Sequence, residues 1–330
     1  MASSSKGAVL GALLGNGALT IIKFGAFAFS GSGAMFSEAI HSLADTVNQG
    51  LLFLGIQQSE RPADALFPYG YGADRYLYSL LSAVGIFVLG CGVTVYHGIH
   101  DLLDPPEVST SWLPLVVLAI SLVVEGFVLL SAARVVWKNK GDQSIGAYLR
   151  STTDPTAAAV LLEDSVACVG VLIAFAGIGL AQLTGNPVFD AVGAIMIGLL
   201  LGAVAVWLGI RNRSLLLGPA IPRSLQAEVE TFLQKLPEVQ RVRHVRTRIV
   251  GADRFRFQAD LDFDGRVLGA RLAHLVHERH TELADAEQRE RFARDFGEQL
   301  LDELGREVDQ IEAKLEERFP RLEYVDLEAD

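Results

Sequence analysis

Runs of apolar residues broken by short polar links occupy the first two thirds of the chain. Six of them, at 8–29, 33–56, 76–99, 112–136, 156–183 and 188–210, reach the length of roughly 20 residues that a helix needs to cross a bilayer core. The pattern predicts six membrane helices. Asp154-Pro155 and Asn186-Pro187 each set a capping side chain before a proline, whose missing N–H costs nothing at the first helical position. The links at 31–33 and 184–185 are so short that the helices they join must be antiparallel neighbours.

After about Arg211 the pattern changes. An amphipathic helix over 224–236 and a strand over 239–250 precede FRFQADLDFD, in which Phe255, Phe257, Ala259, Leu261 and Phe263 alternate with polar residues. Period two with one apolar face is a half-buried strand. A charged helical region over about 269–319, with a break near Ala284, leads to a last strand at 322–327. The order suits a sheet layered against helices. The predicted fold is a six-helix transmembrane bundle, residues 1–212, followed by a cytoplasmic α/β ferredoxin-like domain, residues 213–330.

Composition supports this division. Half of the 330 residues are hydrophobic and the mean hydropathy is +0.32, which points to a membrane protein. The net charge of -11 is concentrated after Arg211. No concentrated basic face is present, so nucleic acid is excluded as a partner. Cys91 and Cys168, the only cysteines, both lie in apolar runs and build neither a disulfide framework nor a thiolate metal site. The hydrophobic run at the N-terminus has no convincing cleavage site and reads as a retained first helix. Lys6, Arg61, Arg75, Arg134, Lys138, Lys140, Arg211 and Arg213 fall on one side of a six-span arrangement, whereas the opposite links hold only Asp101, Asp104 and Glu107 among charges. The basic side is predicted cytoplasmic, with both termini there, in a bacterial-type inner or plasma membrane.

The candidate chemistry lies within the spans. EAIHSLADTVNQ carries Glu38, His41, Asp45, Asn48 and Gln49, and helical spacing aligns Glu38, His41, Asp45 and either Asn48 or Gln49 along one side of the second span. An Asp at the bilayer centre costs about 2.5–3.5 kcal/mol on insertion scales, so such groups persist where they face a partner, water or an ion. The fifth span supplies Glu163 and Asp164, which point about 100° apart on a helix. Imidazole and carboxylates together make a plausible shell for Zn²⁺, Mn²⁺ or Fe²⁺. Glu125 in the fourth span fits a proton carrier, a group supporting His41 or a structural acceptor. Lys23 reads as a snorkelling or paired lysine, and Asp190 as a residue near the membrane surface.

Taken in order, these motifs resemble the cation diffusion facilitator family of zinc transporters over nearly the whole chain. SEAIHSLADTVNQ, PYGYGADRYLYSLLSAVGIFVLG, VYHGIHDLLDP, SLVVEG and VLLEDS resemble the branch containing the mitochondrial zinc exporter. The resemblance implies a proton-coupled antiporter, not an enzyme, that exports a divalent cation, foremost Zn²⁺, from the cytoplasm as a homodimer without a cofactor. It implies metal ligands at His41, Asp45 and Asp164. The family's remaining ligand position holds Val160, so Glu163, Asn48, Glu38 or water must complete the shell. Where the family's loop site often begins with His, this chain has Phe67, and Asp74 has no histidine neighbour, so no metal is expected there. In the soluble part His244, His274, His277 and His280 are candidates beside the reading of a solvated charged helix. A Mn²⁺ or Fe²⁺ exporter, a metal-activated hydrolase with Glu125 as base, and a metal-sensing protein without transport are the rival readings.

Overall fold

The computed structural model describes residues 2–108, 111–141, 144–146, 155–280 and 285–330, with side chains in these ranges except at 2–12, 132, 135, 139 and 155–160. The expected cap at Asp154, the break near Ala284 and the side chain of Val160 lie outside the described residues. The chain forms two compact units, Met1–Leu217 and Gly218–Asp330. The division falls after Leu217 because the sixth long helix continues past Asn212.

The first unit contains six long helices: α1 (Ala2–Ser30), α2 (Gly33–Ser59), α3 (Asp74–Leu103), α4 (Leu113–Asn139), α5 (Pro155–Thr184) and α6 (Val188–Leu217). Gly31 and Gly185 adopt φ of +66° and +69° in the α1–α2 and α5–α6 turns, a conformation that costs glycine little. Asn186 Oδ1 accepts from the Val188 N–H at 3.1 Å, the cap expected before Pro187. Among the described residues, five helices are long and apolar enough to cross a membrane. α2 is the long helix not among them, and it carries the polar stretch.

Met35, Leu118, Val171, Ala174, Ile197 and Leu201 pack inside the unit. Ile21, Phe29, Val123, Phe127 and Ile210 are exposed. An outward-facing apolar surface on long helices belongs in lipid, and the chain is a multi-pass membrane protein. α3 widens into a π-helical segment at Ile86–Val93, whose Gly90 and Cys91 lie against Leu201 and Gly202 of α6. The loop between α2 and α3 is tied by Asp64, which accepts from the Leu66 and Phe67 N–H groups and from the Tyr71 hydroxyl. The Phe67 N–H foremost, then Tyr71, holds the Asp64 carboxyl below its ordinary value.

In the second unit, α7 (Arg223–Leu233), α8 (Gly265–Arg271), α9 (Ala273–Glu278) and α10 (Ala286–Arg318) accompany strands β1 (Val239–Gly251), β2 (Arg254–Phe263) and β3 (Leu322–Ala329). β2 is central, antiparallel to β1 and parallel to β3, with Phe257 opposite Thr247 and Val325. The alternation read from FRFQADLDFD appears as Phe255, Phe257, Ala259 and Leu261, all fully buried, against Val229 and Leu233 of α7 and Ile311 and Leu315 of α10. This is the expected ferredoxin-like layer. The charged helical region expected over 269–319 is made up of the end of α8, α9 and α10.

One polar cluster interrupts that unit. Glu238, just before β1, and Glu307 of α10 are both buried and share a hydrogen bond. Burial foremost, then Glu307, pushes Glu238 up from its ordinary value of 4.5, whereas Glu307, despite burial, is held down by Arg271 and the proton from Glu238. Because Glu238 binds its proton more tightly when folded, its stabilising contribution is present below pH 4.5 and is lost as pH rises through the raised value. Glu307 acts oppositely: its contribution is present above 4.5 and is lost as pH falls through the lowered value. Glu238→Gln is therefore expected to flatten the decline in stability on the alkaline side of pH 4.5. Urea unfolding at a series of pH values, followed by strand circular dichroism, checks this; a curve parallel to wild type contradicts it.

Candidate functional site

The site is built around the first half of α2. Ser32 caps this helix by accepting from the Met35 N–H at 3.1 Å, and its hydroxyl donates to Asp190 Oδ1 at 2.9 Å. Asp190 of α6 also accepts the Gly33 and Ala34 N–H groups at 2.8 and 3.2 Å. A carboxylate at a helix N-terminus satisfies orphan donors and opposes the positive end of the dipole. Asp190, in the first turn of α6, is a buried clamp between α6 and α2.

Deeper along α2, Glu38 is fully buried beside a fully buried Lys23 from α1. Lys23 Nζ donates to Glu38 Oε2 at 3.0 Å and to Glu125 Oε1 of α4 at 2.9 Å, so one cation joins three helices. Gly170 of α5 gives Glu38 room, since a Cβ there would stand 2.7 Å from Glu38 Oε1. Lys23 is thus a paired lysine and does not snorkel. Glu38 and Glu125 each commit one oxygen to it and leave the other, Oε1 and Oε2 respectively, buried without a hydrogen bond.

One turn further on, His41 is 3% exposed and its Nε2 lies 3.5 Å from Asp45 Oδ2. Among the described residues neither ring nitrogen of His41 has a hydrogen-bond partner, and Asp164 Oδ2 on α5 is likewise buried and unpartnered. Asp164 interacts electrostatically with Asp45, Glu125 and His41, so α5 presents it to the same interior region as α2. Glu163 takes a different route: its Oε2 accepts from Asn48 Nδ2 at 2.8 Å, and Asn48 Oδ1 accepts from the Ser82 hydroxyl of α3 at 2.5 Å. Asn48 is therefore engaged on both ends of its amide and works as a strut between α2, α3 and α5. Among the described residues no group of three or more His, Cys, Asp and Glu side chains stands close enough to hold a metal ion.

Of the sequence candidates, His41, Asp45 and Asp164 face one region, in which the ring nitrogens of His41 and Asp164 Oδ2 are buried without a hydrogen-bond partner among the described residues and Asp45 is half-buried, and Glu163 borders it through Asn48. Glu38 and Glu125 form the ion cluster with Lys23. The signal for that cluster was a lysine in mid-span, which requires an acidic neighbour in hydrocarbon.

The histidines of the second unit are not gathered. His274 and His280 turn Nδ1 toward the carbonyls of Arg271 and His277, each at 3.0 Å, and are exposed. His244 sits at a bulge in β1 with φ of +46° and its Nδ1 2.6 Å from Asp260 Oδ2.

A bundle of lipid-facing helices with a buried imidazole and carboxylates in its interior, followed by a small ferredoxin-like unit, defines a multi-pass membrane protein with a polar site inside its bundle. The sequence pattern of the cation efflux transmembrane domain matches residues 9–217. The chain belongs to the cation efflux family. It is 39% identical over 328 residues to the mitochondrial proton-coupled zinc antiporter SLC30A9 of Homo sapiens, covering 97% of this chain and 58% of that protein. It is 36% identical to metal tolerance protein C4 of Arabidopsis thaliana, covering 98% of this chain and 73% of the relative. Magnetosome protein MamB of Paramagnetospirillum magneticum is 25% identical over 68% of this chain and 71% of its own length. The chain thus spans little more than half the length of the antiporters it matches.

Proposed function

We propose that the chain is a secondary active transporter that exports divalent cations, Zn²⁺ foremost, from the cytoplasm in exchange for protons. The observation that carries this reading is the set of unpartnered, buried donor atoms on His41 and Asp164 beside Asp45. Coordination needs a neutral imidazole and ionised carboxylates, so cation binding and proton binding compete at the same atoms. A site deep in a bundle that opens alternately to either face couples the two gradients. The name of the human relative supports zinc and proton coupling. Glu163 supplies a further carboxylate at the edge of the site, with Asn48 orienting it.

The basic links support a reading in which both termini and the second unit are cytoplasmic, and in this reading the second unit joins two copies into a homodimer. The membrane is a bacterial-type inner or plasma membrane in our reading, although the human relative's name is mitochondrial. Fractionation of cells expressing a tagged chain tests the location.

The deciding experiment is uptake into proteoliposomes of Zn²⁺, Mn²⁺ and Fe²⁺ in turn, with a pH-sensitive dye inside. Zn²⁺ is expected to move with counter-movement of protons. Uptake that leaves internal pH unchanged would refute antiport, and Mn²⁺ or Fe²⁺ outcompeting Zn²⁺ would refute the zinc assignment.

A further inference from the structure

The far end of α3 carries a second imidazole–carboxylate pair. His97 Nδ1 and Asp101 Oδ2 lie 3.1 Å apart, one helical turn from each other. They are not aligned as a hydrogen bond, and both atoms are buried without any other hydrogen-bond partner. Asp101 is 7% exposed. This pair sits against the first turn of α2: a Cβ at Gly33 would collide with Asp101 Oδ2 and stand 3.7 Å from His97 Nδ1. Only glycine leaves that space open. The His97 ring is held in place, stacked on Phe36 at 4.4 Å and edge-on to Phe27 at 6.1 Å.

Position gives the pair its meaning. Because α2 and α3 run antiparallel, His97 and Asp101 lie at the end of the bundle opposite Arg61 and the start of α3 at Arg75. Gly33, Ser37, His41 and Asp45 follow one another at steps of four along α2, and each step drifts only about 40° around the axis. The pair therefore stands at the head of the row that contains the metal-site imidazole, about 12 Å above His41 at 1.5 Å per residue. Facing it are His100, whose Nδ1 is 3.8 Å from Asp101 Oδ1, and Asp190 of α6, which interacts electrostatically with Asp101. α1 and α2 face it with Phe27, Gly33 and Phe36, which do not titrate. A half-buried imidazole whose Nδ1 is enclosed beside a carboxylate is suited to taking up and releasing a proton.

We propose that His97 and Asp101 form a proton-loading station at the non-cytoplasmic mouth of the bundle, distinct from the metal site. His97 Nδ1 accepts one proton arriving from that side, Asp101 stabilises the resulting imidazolium, and the same proton is released inward when the cation leaves His41, Asp45 and Asp164. This rests on the antiport reading above.

The test compares wild type with His97→Gln and with the near-isosteric Asp101→Asn in proteoliposomes, reading Zn²⁺-driven proton flux between about pH 5 and 8, where imidazole changes charge. Zn²⁺ affinity is measured separately by equilibrium binding to the detergent-solubilised full chain. Both variants are expected to slow flux at the alkaline end on the order of 100-fold, the lower end of what a positioned proton carrier contributes, with partial recovery in acid. Zn²⁺ affinity is expected to stay at the wild-type level. A flux–pH profile superimposable on wild type overturns the proposal, as does a parallel loss of Zn²⁺ affinity, which would assign the pair to the metal site or to packing. If wild type itself binds Zn²⁺ yet moves no protons, the antiport reading fails first and the station with it.

Discussion

Replacing Lys23 by methionine is expected to be among the most damaging single changes in the helical unit. The ammonium is fully buried and answers two carboxylates from α2 and α4, so its loss leaves Glu38 and Glu125 facing each other without a cation. Removing one partner of a buried ion pair costs about 3–5 kcal/mol, chiefly because the remaining charge is left uncompensated. The neutral triple variant Lys23→Met with Glu38→Gln and Glu125→Gln removes the charges together and is expected to recover most of that loss. Thermal unfolding of the detergent-solubilised chain separates the cases. A Lys23→Met protein that melts with wild type, or a triple variant less stable than the single one, would show that the cluster is not a stabilising ion network.

The largest effect on transport is expected from His41, Asp45 and Asp164. Asp164→Ala and Asp45→Ala each delete a carboxylate that no other group in the site replaces, and His41→Ala deletes the imidazole. Changes to groups that merely orient a ligand usually cost about 10–100-fold in metal affinity or activity, so loss of a ligand should exceed about 100-fold in Zn²⁺ flux. Asn48→Ala belongs to the milder range, because Asn48 acts through Glu163 and Ser82. Rates measured side by side should rank Asp164→Ala below Asn48→Ala. The reverse order would move the cation from the His41–Asp164 region toward the Asn48–Glu163 strut.

Much of this architecture was legible in the chain because local periodicity determined it. Apolar runs marked the helices, and the alternation from Phe255 to Leu261 marked the central strand with its buried face. His41, Asp45 and Asp164 stood out because polar groups in a span need a reason. What the sequence withheld depends on which helix faces which. Lys23 meets Glu125 across 102 positions, and neither residue alone names the other. The same applies to Asp190, whose partners lie more than 150 positions away at the start of α2. His97 entered only as part of the VYHGIHDLLDP resemblance, and Asp101 otherwise only as a charge in a link, whereas it lies buried within α3, in the space that Gly33 leaves. The boundary between α8 and α9 at Leu272 was hidden because the even charge pattern there carries no strong stop signal.

The clamp at Asp190 has a mechanical corollary. Three hydrogen bonds from the opening turn of α2 converge on one carboxylate of α6, so those two helix ends behave as a fulcrum. A rigid swing of α2 by about 10° around that point carries His41 only about 2 Å but Ser59 about 7 Å, from a rise of 1.5 Å per residue. Because a metal–ligand bond is itself only about 2 Å long, a lever anchored in this way would loosen its hold on a cation as its distant tip swings open.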